Sequence, residues 1–412
     1  MDKATKSKRT QNFIATFIIA ALSGINYVWS LTSAALVADH GWTNAQASLP
    51  YSLFTVMASA MVLFGGRFID KHPTRRLILF ASFGFLIGLV GAANLMDKPL
   101  LFAICYGVIL AGSNGCITAS QVGPVVKWFP YRQRGLVTGA MYTASGLTGI
   151  YMSPICNHIV TTYGVKGSLI GLGISFGLIL FIGHFFLHTP DLELVRQAEI
   201  EEAAAYKDAV PFEVKEYSWV EMLKTANFWK IFLTFTALCL CGLMIVGKVT
   251  AIAVVQAGWS GGFLLLVINA LFSIAGRLSC GHLGVKFGFK KIWIGMSILQ
   301  LINMLCFRYY TTIPTLLIGA LIGGICFGGI WSIAPAVVSG EFGKKNCGLN
   351  FGILHLGYAI GGFVGPMLAG YFVDTYGNYN NAYIMAAVIL AIGLVSALTM
   401  PKDCGVPKPA AK

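Results

Sequence analysis

Apolar stretches long enough for a helix to cross a bilayer recur along this chain almost from end to end, separated by short polar turns. A hydrocarbon layer about 30 Å thick is crossed by roughly 20 helical residues. The pattern predicts twelve crossings, at 12–37, 45–66, 77–96, 99–126, 136–162, 167–188, 227–256, 260–282, 292–310, 313–339, 347–373 and 381–400. One long polar interruption, 189–225, holds much of the acid and divides the chain near its middle. The expected organisation is an N-terminal six-helix half (1–188), a linker (189–225) and a C-terminal six-helix half (226–412).

Composition excludes a water-soluble alternative. Of 412 residues, 56% are hydrophobic and only 11% charged, against about 45–50% and 25% in soluble domains. The formal charge of +13 would suggest nucleic acid in a soluble protein, but its placement argues otherwise. All but five of the 29 basic residues fall on one alternating face; Lys98, Lys166 and Arg308 stand on the other, and Lys248 and Arg277 fall within helices. Positive charge gathers on the cytoplasmic side of membrane proteins. Both termini and the linker are therefore expected in the cytoplasm, in a cell (inner) membrane, with no nucleic-acid partner. The basic start leads into a segment too long for a signal-peptide core. The ten cysteines include no C-x-x-C, and Cys239 and Cys241 face different ways on one helix, so no metal or other cofactor is expected. Neither a nucleophile–base pair nor H-E-x-x-H appears, and the chain does not read as an enzyme.

The halves repeat. After the second helix the chain reads Gly66-Arg-Phe-Ile-Asp70-Lys71-His-Pro-Thr-Arg75-Arg76, and after the eighth Gly281-His-Leu-Gly-Val285-Lys286-Phe-Gly-Phe-Lys290-Lys291. Phe129, Gly135, Leu136 and Gly139 match Phe342, Gly348, Leu349 and Gly352 at nearly the same shift. Six helices per half in the same orientation describe parallel repeats about an axis along the membrane normal. The loop after helix two resembles the signature of the major facilitator superfamily, and the resemblance covers essentially the whole chain. It implies a twelve-helix all-α membrane protein working by alternating access. It also implies a latch on the loop-bearing face, with Asp70 and Arg134 as gating residues; Val285 replaces the acid in the second copy.

An ionisable side chain deep in a bilayer is costly, so by default it marks function. The acids lie at helix ends, in the termini or in the linker, and none is available to neutralise Arg277 in NALFSIAGRLSCGHLG. A cation without an internal counter-ion suits an anion, and the planar guanidinium can grip a carboxylate with two parallel hydrogen bonds. Two blander readings stand beside this one: Arg277 snorkels to the interface, or it bonds backbone carbonyls. Lys248, late in helix seven, is either a second ligand or an interfacial residue. His355, in NFGILHLGYAIGG, is either a proton carrier or a hydrogen-bonded packing residue.

GINYVWSLTSAALVADHGWTNAQASLPYS, KWFPYRQRGLVTG and Arg277 together resemble the oxalate/formate antiporter family and the related monocarboxylate transporters. That resemblance implies that Arg277 binds the substrate carboxylate. Tyr358 stands where oxalate carriers have a lysine, which argues against a dianion unless Lys248 substitutes. Tyr27, Phe327 and Trp331 retain part of the family's aromatic cage, whereas Thr118 and Ser145 occupy positions of expected tyrosines and enlarge the cavity. Asn26, Ser48, Asn114 and Thr118 are candidates to hydrogen-bond the far end of the substrate, and His355 and Tyr358 to complete the wall. The expected function is secondary active transport of a small organic anion, a monocarboxylate such as lactate or pyruvate, with a proton or by anion exchange. The alternatives are an oxalate/formate-type dicarboxylate antiporter and a non-transporting membrane sensor of the same fold.

Overall fold

The computed structural model describes residues 3–121, 123–126, 128–129, 131–188, 215–343 and 346–405; for 3–6, 70–71, 123, 126, 131–136, 138, 285 and 347–348 it describes the backbone only. Among the described residues every regular element is helical. Eleven helical stretches are long and apolar enough to span a bilayer. Ten are single crossings: α1 (Ser7–His40), α2 (Leu49–Ile69), α3 (Thr74–Asn94), α4 (Pro99–Ser120), α7 (Ala226–Ala257), α8 (Phe263–Gly284), α9 (Phe289–Phe307), α10 (Ile313–Phe342), α11 (Leu349–Tyr376) and α12 (Asn380–Leu398). The eleventh, Gly139–Phe186, has 48 residues, which at 1.5 Å per residue would be more than twice a bilayer core. It is broken at Gly164, whose φ of +70° and ψ of 177° suit glycine and turn the chain back. The run is therefore two crossings, α5 (139–163) and α6 (165–186), making twelve. The largest boundary difference from the sequence reading is in α4, which ends at Ser120 before a separate short helix, Gly123–Val126.

A soluble helix hides its large apolar residues and shows its polar ones; α12 does neither. Its buried positions are mostly small or aromatic, Ala382, Tyr383, Ala386, Leu390, Gly393 and Ala397, while Ile384, Val388, Ile392, Val395 and Leu398 stand exposed. Lipid is as apolar as leucine, so burying large aliphatics gains little, and small residues let helices approach. The same logic sets the α8–α10 contact: a Cβ on Gly328 would lie 1.9 Å from the Ser273 carbonyl oxygen, a separation that no side chain tolerates. α5 packs on α8 and α2 on α11, joining the first six helices to the last six.

Three crossings depart from regular α-geometry. α1 tightens to a 3₁₀ turn at Ser23–Val28, with Gly24 at φ −80° and ψ 17°. α4 widens to a π-turn at Cys105–Leu110. α11 is interrupted at His355, between Cys347–Leu354 and Leu356–Tyr376. Local 3₁₀ and π geometry frequently marks functional sites, and the first and third departures both border the cavity described next. Ahead of α7 the chain is held by two caps. Ser218 and Glu221 form a capping box, and the Thr225 hydroxyl accepts from Phe228 N at 3.2 Å. Hydrogen bonds from the Ser218 amide and hydroxyl hold the Glu221 carboxyl below its ordinary range.

Candidate substrate-binding cavity

A cavity with about 610 Å³ of atom-free space, part of it continuous with the outside, lies among α1, α2, α4, α5, α8, α10 and α11. Ten of the twelve residues singled out as substrate contacts line it: Arg277, His355, Tyr358, Trp331, Phe327, Tyr27, Asn26, Asn114, Thr118 and Ser145. The latch residues Asp70 and Arg134 have side chains outside the described residues.

Among the described residues Arg277 is the only cation lining the cavity, and no carboxylate lines it. Its Nη1 donates to the Tyr142 carbonyl oxygen on α5, so the backbone-carbonyl reading of this side chain holds for one of its nitrogens. Nη2 donates to the Tyr27 hydroxyl at 3.4 Å. Nε is buried without a partner. Nε and Nη2 form one edge of the guanidinium, and a buried donor left unpaired costs about 1–3 kcal/mol. The pinned Nη1 therefore fixes the plane of the fork while the opposite edge keeps donors for a carboxylate.

Aromatic rings line the same cavity. Trp331 meets Tyr358 edge-on at 5.3 Å between centroids, lies 5.5 Å from the His355 ring and 6.3 Å from both Phe327 and Tyr142. His355 and Tyr358 are 5.0 Å apart. The turn at His355 places both rings on one side, and Nδ1 of His355 is buried without a partner. Across the cavity the Tyr358 hydroxyl accepts from Asn26 Nδ2 at 3.3 Å, linking α11 to the 3₁₀ turn of α1.

The opposite wall is polar and uncharged. Ser23 and Ser145 share a hydrogen bond of 2.7 Å, and Ser145 donates to Gln121 Oε1 at 3.1 Å. Thr118 donates to the Asn114 carbonyl oxygen at 3.0 Å. The Asn114 Oδ1 is buried and unpartnered. Sequence reasoning missed Ser23, Phe54, Gln121 and Tyr142, all of which line the cavity. Two carried a signal: Gln121 follows Thr118 by three residues and Tyr142 precedes Ser145 by three, a spacing that shares a helix face.

Lys248 and Ser48 are elsewhere. Lys248 is fully buried and donates from Nζ to the Asn44 carbonyl oxygen at 3.0 Å, in the turn between α1 and α2. It does not line the cavity because it lies 23rd in a 32-residue helix, toward the end remote from the termini. The Ser48 hydroxyl donates to the same oxygen at 2.6 Å. Asp374, at the end of α11, accepts from Asn44 N and Nδ2, both at 2.9 Å, and from Ala45 N at 2.7 Å. Nearby, Ser30 and Thr250 join α1 to α7 at 2.8 Å, and Ser52 donates to the Phe363 carbonyl oxygen at 3.0 Å. This clamp closes the face opposite the chain termini across the two six-helix groups.

Twelve crossings with a membrane-embedded cavity between two groups of six define a transporter rather than a channel or a soluble carrier. The sequence profile of the Major Facilitator Superfamily matches residues 13–307 and 250–411, and the chain belongs to that superfamily. It is 24% identical over 392 residues to the oxalate:formate antiporter of Oxalobacter formigenes, covering 93% of this chain and 89% of that protein. It is 21% identical over 300 residues to monocarboxylate transporter 13 of Rattus norvegicus, covering 71% and 66%. Among solved structures, a D-xylose-proton symporter superposes with a TM-score of 0.73 at 15% identity, over 97% of this chain and 99% of that one.

Proposed function

We propose that the protein carries a small organic monocarboxylate, lactate or pyruvate being the reference cases, by alternating access of its two halves (1–188 and 226–412). The observation that carries this reading is the buried, unpartnered Nε of Arg277 in a cavity with no carboxylate among its described lining residues. A bound carboxylate would satisfy that donor and neutralise the cation together. One cation matches one negative charge, and Tyr358 supplies no second. The antiporter and monocarboxylate transporter relatives are consistent with an anionic cargo. With the basic face in the cytoplasm, the clamp at Asp374 closes the external side, and this conformation is the inward-facing one of the cycle.

Movement of a lone monocarboxylate into a negative-inside cell is opposed by about 2.3 kcal/mol per 100 mV. A co-moving proton cancels that opposition, and His355 is the lining side chain suited to carry it. Anion exchange is the second reading, favoured by the antiporter relative. Purified protein in liposomes, assayed by counterflow with labelled lactate, pyruvate, formate and oxalate, tests the proposal. Lactate or pyruvate is expected to exchange, and Arg277→Ala to abolish it while the protein stays folded. Undiminished exchange in that variant would remove the basis of the reading.

A further inference from the structure

The two sides of the cavity differ in chemistry. The cation and most of the aromatic surface come from the later helices α8, α10 and α11: Arg277, Phe327, Trp331, His355 and Tyr358. The amide and aliphatic hydroxyl side chains, Ser23, Asn26, Asn114, Thr118, Gln121 and Ser145, come from the earlier elements α1, α4 with its C-terminal cap, and α5. Asn114 and Thr118 on α4 and Gln121, the helical cap residue that follows its last residue, lie three or four residues apart, forming a polar strip about 10 Å long at 1.5 Å per residue.

A carboxylate alone does not account for this strip. The buried Asn114 Oδ1 has no partner, and as an acceptor it calls for a donor, which a carboxylate lacks. Gln121 Oε1 is occupied by the two serines, while its Nε2 has no protein acceptor among the described residues. The strip thus presents both an acceptor and a donor, the combination a hydroxyl group satisfies. The facing rings of Trp331 and Tyr358 supply flat apolar surface for the C–H side of a carbon chain. A three-carbon acid is a few ångströms long and reaches only part of the strip when its carboxylate is on Arg277.

We propose that the cavity is built for a hydroxylated monocarboxylate longer than three carbons, with the carboxylate on Arg277 and the hydroxyls on Asn114, Thr118 and Gln121. This rests on the monocarboxylate reading above and names the substrate class within it. Short acids are then accepted but incompletely contacted. An equally long acid without hydroxyls leaves Asn114 unpaired and is discriminated against. One buried group left unsatisfied corresponds to roughly 5- to 150-fold in affinity.

The test uses gluconate and hexanoate, six-carbon monocarboxylates that differ in their hydroxyls. Liposomes loaded with gluconate and bearing the purified protein are expected to take up labelled gluconate. External gluconate should compete at roughly 5- to 150-fold lower concentration than hexanoate. Asn114→Ala and, independently, Thr118→Val should narrow that ratio with unchanged thermal unfolding of the purified proteins, whereas Arg277→Ala should stop uptake of either acid. Exclusion of gluconate alongside Arg277-dependent lactate exchange would overturn this inference and leave the monocarboxylate reading intact. Equal competition by the two acids, or a ratio untouched in both α4 variants, would overturn it as well. If no monocarboxylate moves at all, the proposed function falls and this inference with it.

Discussion

The clamp opposite the termini makes a quantitative claim about conformational balance. In Asp374→Ala, three donors (Asn44 N, Asn44 Nδ2 and Ala45 N) lose their acceptor. These bonds are solvent-exposed, so each is credited with about 0.5–1 kcal/mol rather than the larger value of a buried charged bond. Their sum, about 1.5–3 kcal/mol, corresponds to a shift of roughly 10- to 150-fold in the closed-to-open ratio. A clamp closed 99:1 would move to roughly 3:1 for a loss of 2 kcal/mol. The buried Lys248 adds to this, because removing the nearby carboxylate leaves its charge without compensation and opening restores its water. Lys248→Met in the Asp374→Ala background should therefore close the clamp partway again. The assay places a cysteine at Ser30, buried against Thr250 across the clamp, in a background without the native cysteines. An impermeant thiol reagent reaching that face should label it roughly 10- to 60-fold faster in Asp374→Ala than in a parent closed 99:1. Equal rates in parent, single and double variants would refute the reasoning.

Arg277→Lys keeps a charge but loses the fork; one charged hydrogen bond, about 1.5–3 kcal/mol, should go, seen as roughly 10- to 150-fold weaker competition by lactate in counterflow. Tyr358→Lys places a second cation across from Arg277 and should raise oxalate competition relative to lactate; an unchanged ratio would show that the position does not meet the cargo. His355→Gln separates the coupling modes: loss of pH-gradient-driven net uptake with retained exchange marks a proton carrier, whereas uptake that always needs internal substrate and ignores pH leaves exchange. Thr225→Ala removes the α7 cap and should lower stability by about 1 kcal/mol, read as a lower unfolding temperature with unchanged substrate selectivity.

How much of this was legible beforehand follows from what sequence periodicity carries. The crossings were legible because each needs a minimum length of apolar chain, and all twelve recur with boundaries shifted by a few residues. Even the break that turns one 48-residue helical stretch into a hairpin was readable, since no bilayer accommodates the unbroken helix. Arg277 stood out because a cation inside an apolar helix is costly and must have a partner. Lys248 obeyed the same rule and yet lies outside the cavity: cost identifies a constrained charge, not the depth at which its partner sits, and its partner is a backbone carbonyl more than 200 residues away. The polar strip on α4 was half legible. Asn114 and Thr118 are conspicuous among apolar neighbours, whereas Gln121 sits at a helix end where glutamine is unremarkable, and its bonds to Ser23 and Ser145 exist only once α1, α4 and α5 are assembled.

The sharp reversal at Gly164 has a use in the laboratory. Because α5 and α6 meet with almost no chain between them, the face opposite the termini is nearly bare of reactive amines. The lysines assigned to it, Lys98 and Lys166, are exposed, and Lys248, within α7, is sealed inside the protein. An impermeant amine reagent added outside reconstituted vesicles thus meets two targets on molecules oriented one way and many on those oriented the other. Mass spectrometry of the tagged peptides reads out the fraction inserted in each direction, and the vesicle population carries its own compass.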